Sequence, residues 1–109
     1  MEALTPKEFF EKVLPKKFNP AKAAGVDVIV QVNLTGSTQA NWVVTIKDQK
    51  LTAQEGINTS PELTLKMAER DFLDLVNGKI GAEKAFFTGK VQFKGNIALA
   101  LKLREAGFL

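Results

Sequence analysis

The sequence predicts an α+β fold, on three observations. Apolar and polar residues alternate in five separate runs, the pattern of strands buried on one face. Around those runs, apolar residues recur at three- and four-residue spacing behind helix-capping residues. The first three alternating runs follow one another through short polar connections, which makes an antiparallel meander the economical arrangement. At 109 residues the chain is expected to form one domain, residues 1–109, around a single core.

Thr5-Pro6-Lys7-Glu8 opens the first helix: threonine caps, proline suits the first helical position and Glu8 completes a capping box. Phe9/Val13 and Phe10/Leu14/Phe18 then recur at four-residue spacing, and Pro15 is expected to bend or end the helix. Asn19-Pro20 starts a short turn that Gly25 stops. From Val26 the period changes to two. Val26, Val28, Val30, Val32 and Leu34 share a face opposite Asp27, Ile29, Gln31 and Asn33, and Gly36-Ser37 ends the strand. Trp42, Val44 and Ile46 alternate through a second strand. Asp48-Gln49 is a tight turn into a third, over residues 50–54.

After Asn58-Thr59-Ser60-Pro61, Leu63, Leu65 and Met67 mark a fourth strand. Phe72, Leu75 and Val76 have helical spacing, stopped by Asn77-Gly78, and residues 83–87 form a short helix. Gly89 turns the chain into a fifth strand, with Val91 and Phe93 on one face. The segment Ile97-Ala98-Leu99-Ala100-Leu101-Lys102-Leu103 alternates like a strand. Asn96 is a good N-cap, however, and alanine and leucine are strong helix formers, so it is read as a helix. Greasy over much of its circumference, such a helix must be buried or cover something apolar.

Composition narrows the chemistry. Cysteine, histidine and tyrosine are absent, which removes disulfides, thiol nucleophiles and the commonest general base and metal ligand. Ser37 and Ser60 therefore have no histidine partner. Asp71 and Asp74 sit at helical spacing near a helix start, where negative charge is welcome without any catalytic role. The reading is a non-enzyme without metal or cofactor. Net charge is +3, weaker than the clustered excess of a duplex binder. The N-terminus lacks an apolar signal core and no run is long enough to span a bilayer, so a cytoplasmic protein is expected.

The stretch AFFTGKVQFKGN, residues 85–96, admits three readings. A phosphate cradle needs a glycine-rich turn from strand to helix, whereas Thr88-Gly89-Lys90 runs from helix to strand. An RNA-binding strand needs a second aromatic strand that the sequence does not supply, so no nucleic acid is expected. The third reading is a structural turn and strand beside an apolar pocket.

The ordered set FNPAKAAGVDVIVQVNLTG, NWVVTIKDQKLTAQEG and LTLKMAERDFLDLVNGKIGAEKAFFTGKVQFKGNIALALKL resembles the sterol carrier protein type 2 family, also called nonspecific lipid-transfer domains. The resemblance runs from about Phe9 to Leu103. It implies a five-stranded, mainly antiparallel sheet with helices packed on one face, enclosing an apolar tunnel for fatty acids, fatty acyl-CoA, sterols or other lipids. Carried over by position, it implies that Phe86, Phe87, Thr88, Ile97, Leu101 and Leu103 line or gate the tunnel, with Phe72 and Val76 beneath. Phe9, Val13, Val28, Val30 and Trp42 are further wall residues, with the choice of inner strand face left open.

Thr88 stands where many relatives carry glutamine, and Gly107-Phe108-Leu109 differs from a peroxisomal tripeptide. Fatty acid or acyl-CoA is expected ahead of sterol. Lys84, Lys90, Lys94, Lys102 and Arg104 are candidates to attract a carboxylate, a CoA phosphate or an anionic membrane. The alternative is an accessory module that presents apolar substrates to a lipid-metabolising enzyme, or assembles with one.

Overall fold

The computed structural model describes residues 5–36 and 40–105, with the side chains of residues 82, 100 and 103–105 outside that description. Its strands are β1 (Val28–Thr35), β2 (Ala40–Lys47), β3 (Lys50–Glu55), β4 (Leu63–Ala68) and β5 (Val91–Gly95). The helices are α1 (Pro6–Glu8), α2 (Leu14–Lys17), α3 (Glu69–Val76), α4 (Ala82–Phe87) and α5 (Ile97–Glu105). A π-helical turn, Phe9–Val13, joins α1 to α2, and a 3₁₀ turn, Pro20–Ala23, precedes β1.

The sheet order is β3-β2-β1-β4-β5. β1, β2 and β3 form the expected antiparallel meander, whose β2–β3 turn places Asp48 and Gln49 at φ of 53° and 61°. Two successive positive φ values give the turn a twist that matches its strands. β4 lies parallel to β1, in the register Val30↔Leu63, and β5 is antiparallel to β4. The sheet is thus mainly antiparallel with one parallel pair.

Registers put Val28, Val30, Val32, Trp42, Val44, Leu63, Leu65 and Met67 on one face, all buried. The first helix and α3 cover it. Phe10 lies between Trp42 and Phe72, with ring centroids 4.8 and 5.5 Å away and planes 19° apart in both pairs. Phe9 meets Phe10 and Phe72 edge-on. Offset stacking and edge contacts are the favourable aromatic geometries, so this quartet closes the sheet's centre with the chain's own atoms.

The first helix differs from expectation in an informative way. Pro15 does not end it, since α2 runs on to Lys17. With no N–H at Pro15, one helical hydrogen bond is missing there, and the preceding turn widens so that Leu14 N–H donates to Phe9 O five residues back. The widened turn brings Phe9, Phe10 and Leu14 inward together and leaves Val13 half-buried.

The opposite sheet face is polar except where the β3–β4 crossover lies on it. Gln31, on that face of β1, is buried beneath the crossover. Its carboxamide donates to the carbonyls of Gly56 (3.0 Å) and Trp42 (3.3 Å) and to Asn33 Oδ1 (3.0 Å). It accepts from Asn58 N–H at 2.7 Å. Buried polar groups persist when satisfied in this way, and these bonds tie down the loop that carries the chain from β3 to the far side of β1.

Candidate functional site

The elements α4, β5 and α5 are covered differently from the core. α4 touches α3 and β5, while α5 packs chiefly against the 3₁₀ turn at Pro20–Ala23. β5 contributes Val91 and Phe93 to the apolar sheet face, but both are only half-buried, unlike Leu63, Leu65 and Met67 beside them on β4. Covering of that face thins toward β5.

The turn from α4 to β5 is a helix cap. Lys90 N–H donates to Ala85 O at 2.9 Å and Gly89 N–H to Phe86 O at 3.2 Å, with Gly89 at φ 75°. This is the Schellman arrangement, which satisfies the last helical carbonyls and needs a residue in the left-handed region. Thr88 adds a hydroxyl donated to Lys84 O at 2.7 Å. The hydroxyl is thereby engaged with its own helix. Beyond β5, Asn96 Oδ1 accepts from Ala98 N–H at 2.8 Å and starts α5, matching its expected capping role.

These elements leave large apolar side chains uncovered beside exposed lysines. Within α4, Ala85 is the inward residue, and Phe86 and Phe87 turn away from the core, 51% and 83% exposed. Their rings make an edge contact at 6.0 Å. In α5, Leu99 packs on the core, whereas Ile97 and Leu101, one turn apart, are 62% and 56% exposed. The alternating pattern of the tail therefore gives a helix apolar on two sides, with one side used by the core.

The predicted residues fall into two groups. Phe9, Val28, Val30, Trp42 and Phe72 lie together in the filled centre on the helix-covered sheet face, with Val13 and Val76 half-buried at its margin. Phe86, Phe87, Ile97 and Leu101 belong to the uncovered α4 and α5 surfaces, and Thr88 caps α4. The side chains of Leu103 and Arg104, and the terminal tripeptide, lie outside the described residues.

Sequence reasoning passed over Val91, Phe93 and Leu99 as site candidates; their alternation on β5 and α5 was the available signal. Asp71 faces Lys90 at 3.9 Å. Glu62 Oε2 accepts Ile29 N–H at 2.6 Å. At the other end of β1 from the 3₁₀ turn, an open groove of about 820 Å³ is lined by Pro6, Lys7, Trp42, Glu55, Ile57 and Glu69, among others. Its mixed charge and apolar character set it apart from the α4–α5 end.

The sequence profile described as the SCP-2 sterol transfer family matches residues 8–106. The chain belongs to the SCP-2 sterol transfer family. Sterol carrier protein 2 of Homo sapiens is 39% identical over 70 residues, which are 64% of this chain and 13% of that protein. The chain thus corresponds to a small part of that longer SCP-2 relative.

Among solved structures, palmitated SCP2L2 from Aedes aegypti superposes with a TM-score of 0.71 at 25% identity, covering 94% of this chain and 93% of that one. The stereoselective inverting sec-alkylsulfatase from Pseudomonas sp. superposes with a TM-score of 0.78 at 25% identity, covering 98% of this chain and 16% of the enzyme. The SCP-2 fold therefore occurs both nearly alone and as a small part of an enzyme.

Proposed function

We propose that this chain is a non-catalytic carrier that takes up a single-chain lipid, a fatty acid or fatty acyl-CoA in preference to a sterol, and transfers it. The observation that carries the reading is that Phe86, Phe87, Ile97 and Leu101 are exposed on the helices that precede and follow β5, whose Val91 and Phe93 are only half-buried. An acyl chain laid between β5, α4 and α5 would cover what the protein leaves open. The aromatic quartet and the valines of β1 would form the rigid back wall, and Phe86, Phe87 and α5 the gate.

The energetics suit reversible carriage. Burying about ten methylenes contributes on the order of 8 kcal/mol at roughly 0.8 kcal/mol each. Association and ordering costs offset part of this, giving roughly micromolar affinity. Lys84, Lys90 and Lys102 are available to meet a carboxylate or a CoA phosphate. A family relative was solved in a palmitated form, which supports an acyl chain as the cargo.

Native mass spectrometry of the purified protein tests the carrier reading. A co-purifying fatty acid or acyl-CoA, or uptake of a fluorescent fatty acid at micromolar concentration, is expected. Absence of both overturns it. A second reading, an accessory module that presents apolar substrates to a lipid-metabolising enzyme, is favoured by the occurrence of this fold within a sulfatase. Stable capture of such an enzyme without lipid uptake would select it.

A further inference from the structure

We infer that Phe10 is a chain-length stop. Stacked between Trp42 and Phe72, it halts an acyl chain that enters from β5 and limits the cargo to about 8–12 carbons. The inference rests on the carrier reading and names the class of cargo within it.

The first ground is the sheet register. Directly paired residues share a face, and one row across the helix-covered face runs Glu55, Trp42, Val32, Leu65, Phe93 from β3 to β5. The row is apolar from Trp42 onward and ends at β3 in an exposed carboxylate. An acyl chain lying along it therefore enters from the β5 side. Burial gives the same direction: Val32 is fully buried, Leu65 is 8% exposed and Phe93 is half-buried. The neighbouring row of Leu34, Met67 and Val91 loses cover in the same order.

The second ground is what stands across the row. Trp42 pairs with Val32, and Phe72 belongs to α3, which packs on β1 and β4. The stack of Trp42, Phe10 and Phe72 thus crosses the row between Leu65 and Trp42. Phe10 is buried, held on both ring faces and met by Phe9 at 5.3 Å in an edge contact. In a close-packed interior it cannot turn aside without displacing another ring. From β5 to β1 is two interstrand spacings, roughly 10 Å, and an extended acyl chain advances about 1.3 Å per carbon. About seven or eight carbons then lie on the row, and about 8–12 belong to the whole chain once its head end overhangs the β5 edge. Carbons beyond that number stay in water and add no affinity.

Calorimetric titration with straight-chain fatty acids from about 6 to about 16 carbons tests it. Affinity is expected to rise about fourfold per methylene up to about 12 carbons and to level off beyond. Trp42 is the chain's one tryptophan, so dodecanoic acid brominated at its methyl end should quench the protein's emission, and the 2-bromo isomer should not. Phe10→Ala, which opens a gap between Trp42 and Phe72, should let the rise continue to about 16 carbons. Leu65→Phe, which brings the obstruction one strand nearer β5, should end the rise about four carbons earlier. Circular dichroism melts of each variant check that it is folded.

A rise that continues unbroken to about 16 carbons in the unaltered protein overturns the stop. So does a folded Phe10→Ala variant whose break has not moved, or stronger quenching by the 2-bromo isomer, which reverses the direction of entry. Where Phe10→Ala does not fold, the break in Leu65→Phe decides, and an unmoved break overturns the inference. Acids that bind without a break remove the stop and leave the carrier; no binding at any length removes both.

Discussion

Replacing Leu101 by alanine separates a ligand-covered residue from an ordinary core residue. Leu101 is 56% exposed, so about half of its burial is unrealised in the empty protein. Full burial of a leucine side chain is worth roughly 1.5–3 kcal/mol, leaving about 1 kcal/mol to be gained when an acyl chain covers it. Leu101→Ala should therefore weaken fatty-acid binding about fivefold. The stability of the ligand-free protein should change by no more than about 0.5 kcal/mol, because alanine's helix propensity offsets part of the lost packing.

Ile97, one turn earlier and 62% exposed, should behave alike, and the double variant should lose roughly 10- to 30-fold, the spread reflecting coupling between neighbours. Leu99→Ala should do the opposite. Its side chain packs on the core, so stability should fall by about 1–2 kcal/mol. Fluorescent fatty-acid titration and urea unfolding of the same preparations supply both numbers. A double variant that binds like wild type refutes the reasoning, as does one that loses 2 kcal/mol or so of stability with unchanged affinity.

Three further outcomes bear on the scaffold. Gly95→Ala should destabilise by about 2 kcal/mol or more in urea unfolding, because Gly95 has φ 130° and a Cβ there would collide with the Glu62 carbonyl and Leu63. Gln31→Leu should cost about 2–3 kcal/mol by removing the partners of Gly56 O and Asn58 N–H beneath the crossover. Faster amide exchange at Asn58 would accompany it. Asp71→Asn should shift the unfolding free energy by no more than about 0.5 kcal/mol, since its pair with Lys90 is long, at 3.9 Å, and partly open to solvent; it should leave fatty-acid uptake unaltered.

Local grammar made much of this architecture legible. Thr5, Asn19 and Asn96 cap where capping chemistry placed them. Asp48-Gln49 turns tightly, and the strand faces of β1, β2 and β4 follow their alternation. Pro15 was legible as an irregularity but not as a π-helical turn, because only packing decides how the chain absorbs a missing donor. The parallel β1–β4 pair was not visible from the residues by themselves. It depends on a crossover held by Gln31, whose place in the β1 pattern looked like that of any outward polar residue.

The candidate site divides along the same line. Its residue types and spacing, paired phenylalanines before Thr-Gly-Lys and a leucine-alanine helix behind Asn96, were determined by the sequence alone, because capping and helix formation act over a few residues. Which apolar residues would be consumed by the core and which left open was decided only by the tertiary structure. Periodicity counts greasy faces, but whether a face finds a partner depends on how much opposing surface the fold brings to it. Here the aromatic quartet fills the centre, and α4 and α5 meet too little protein to cover Phe86, Phe87, Ile97 and Leu101.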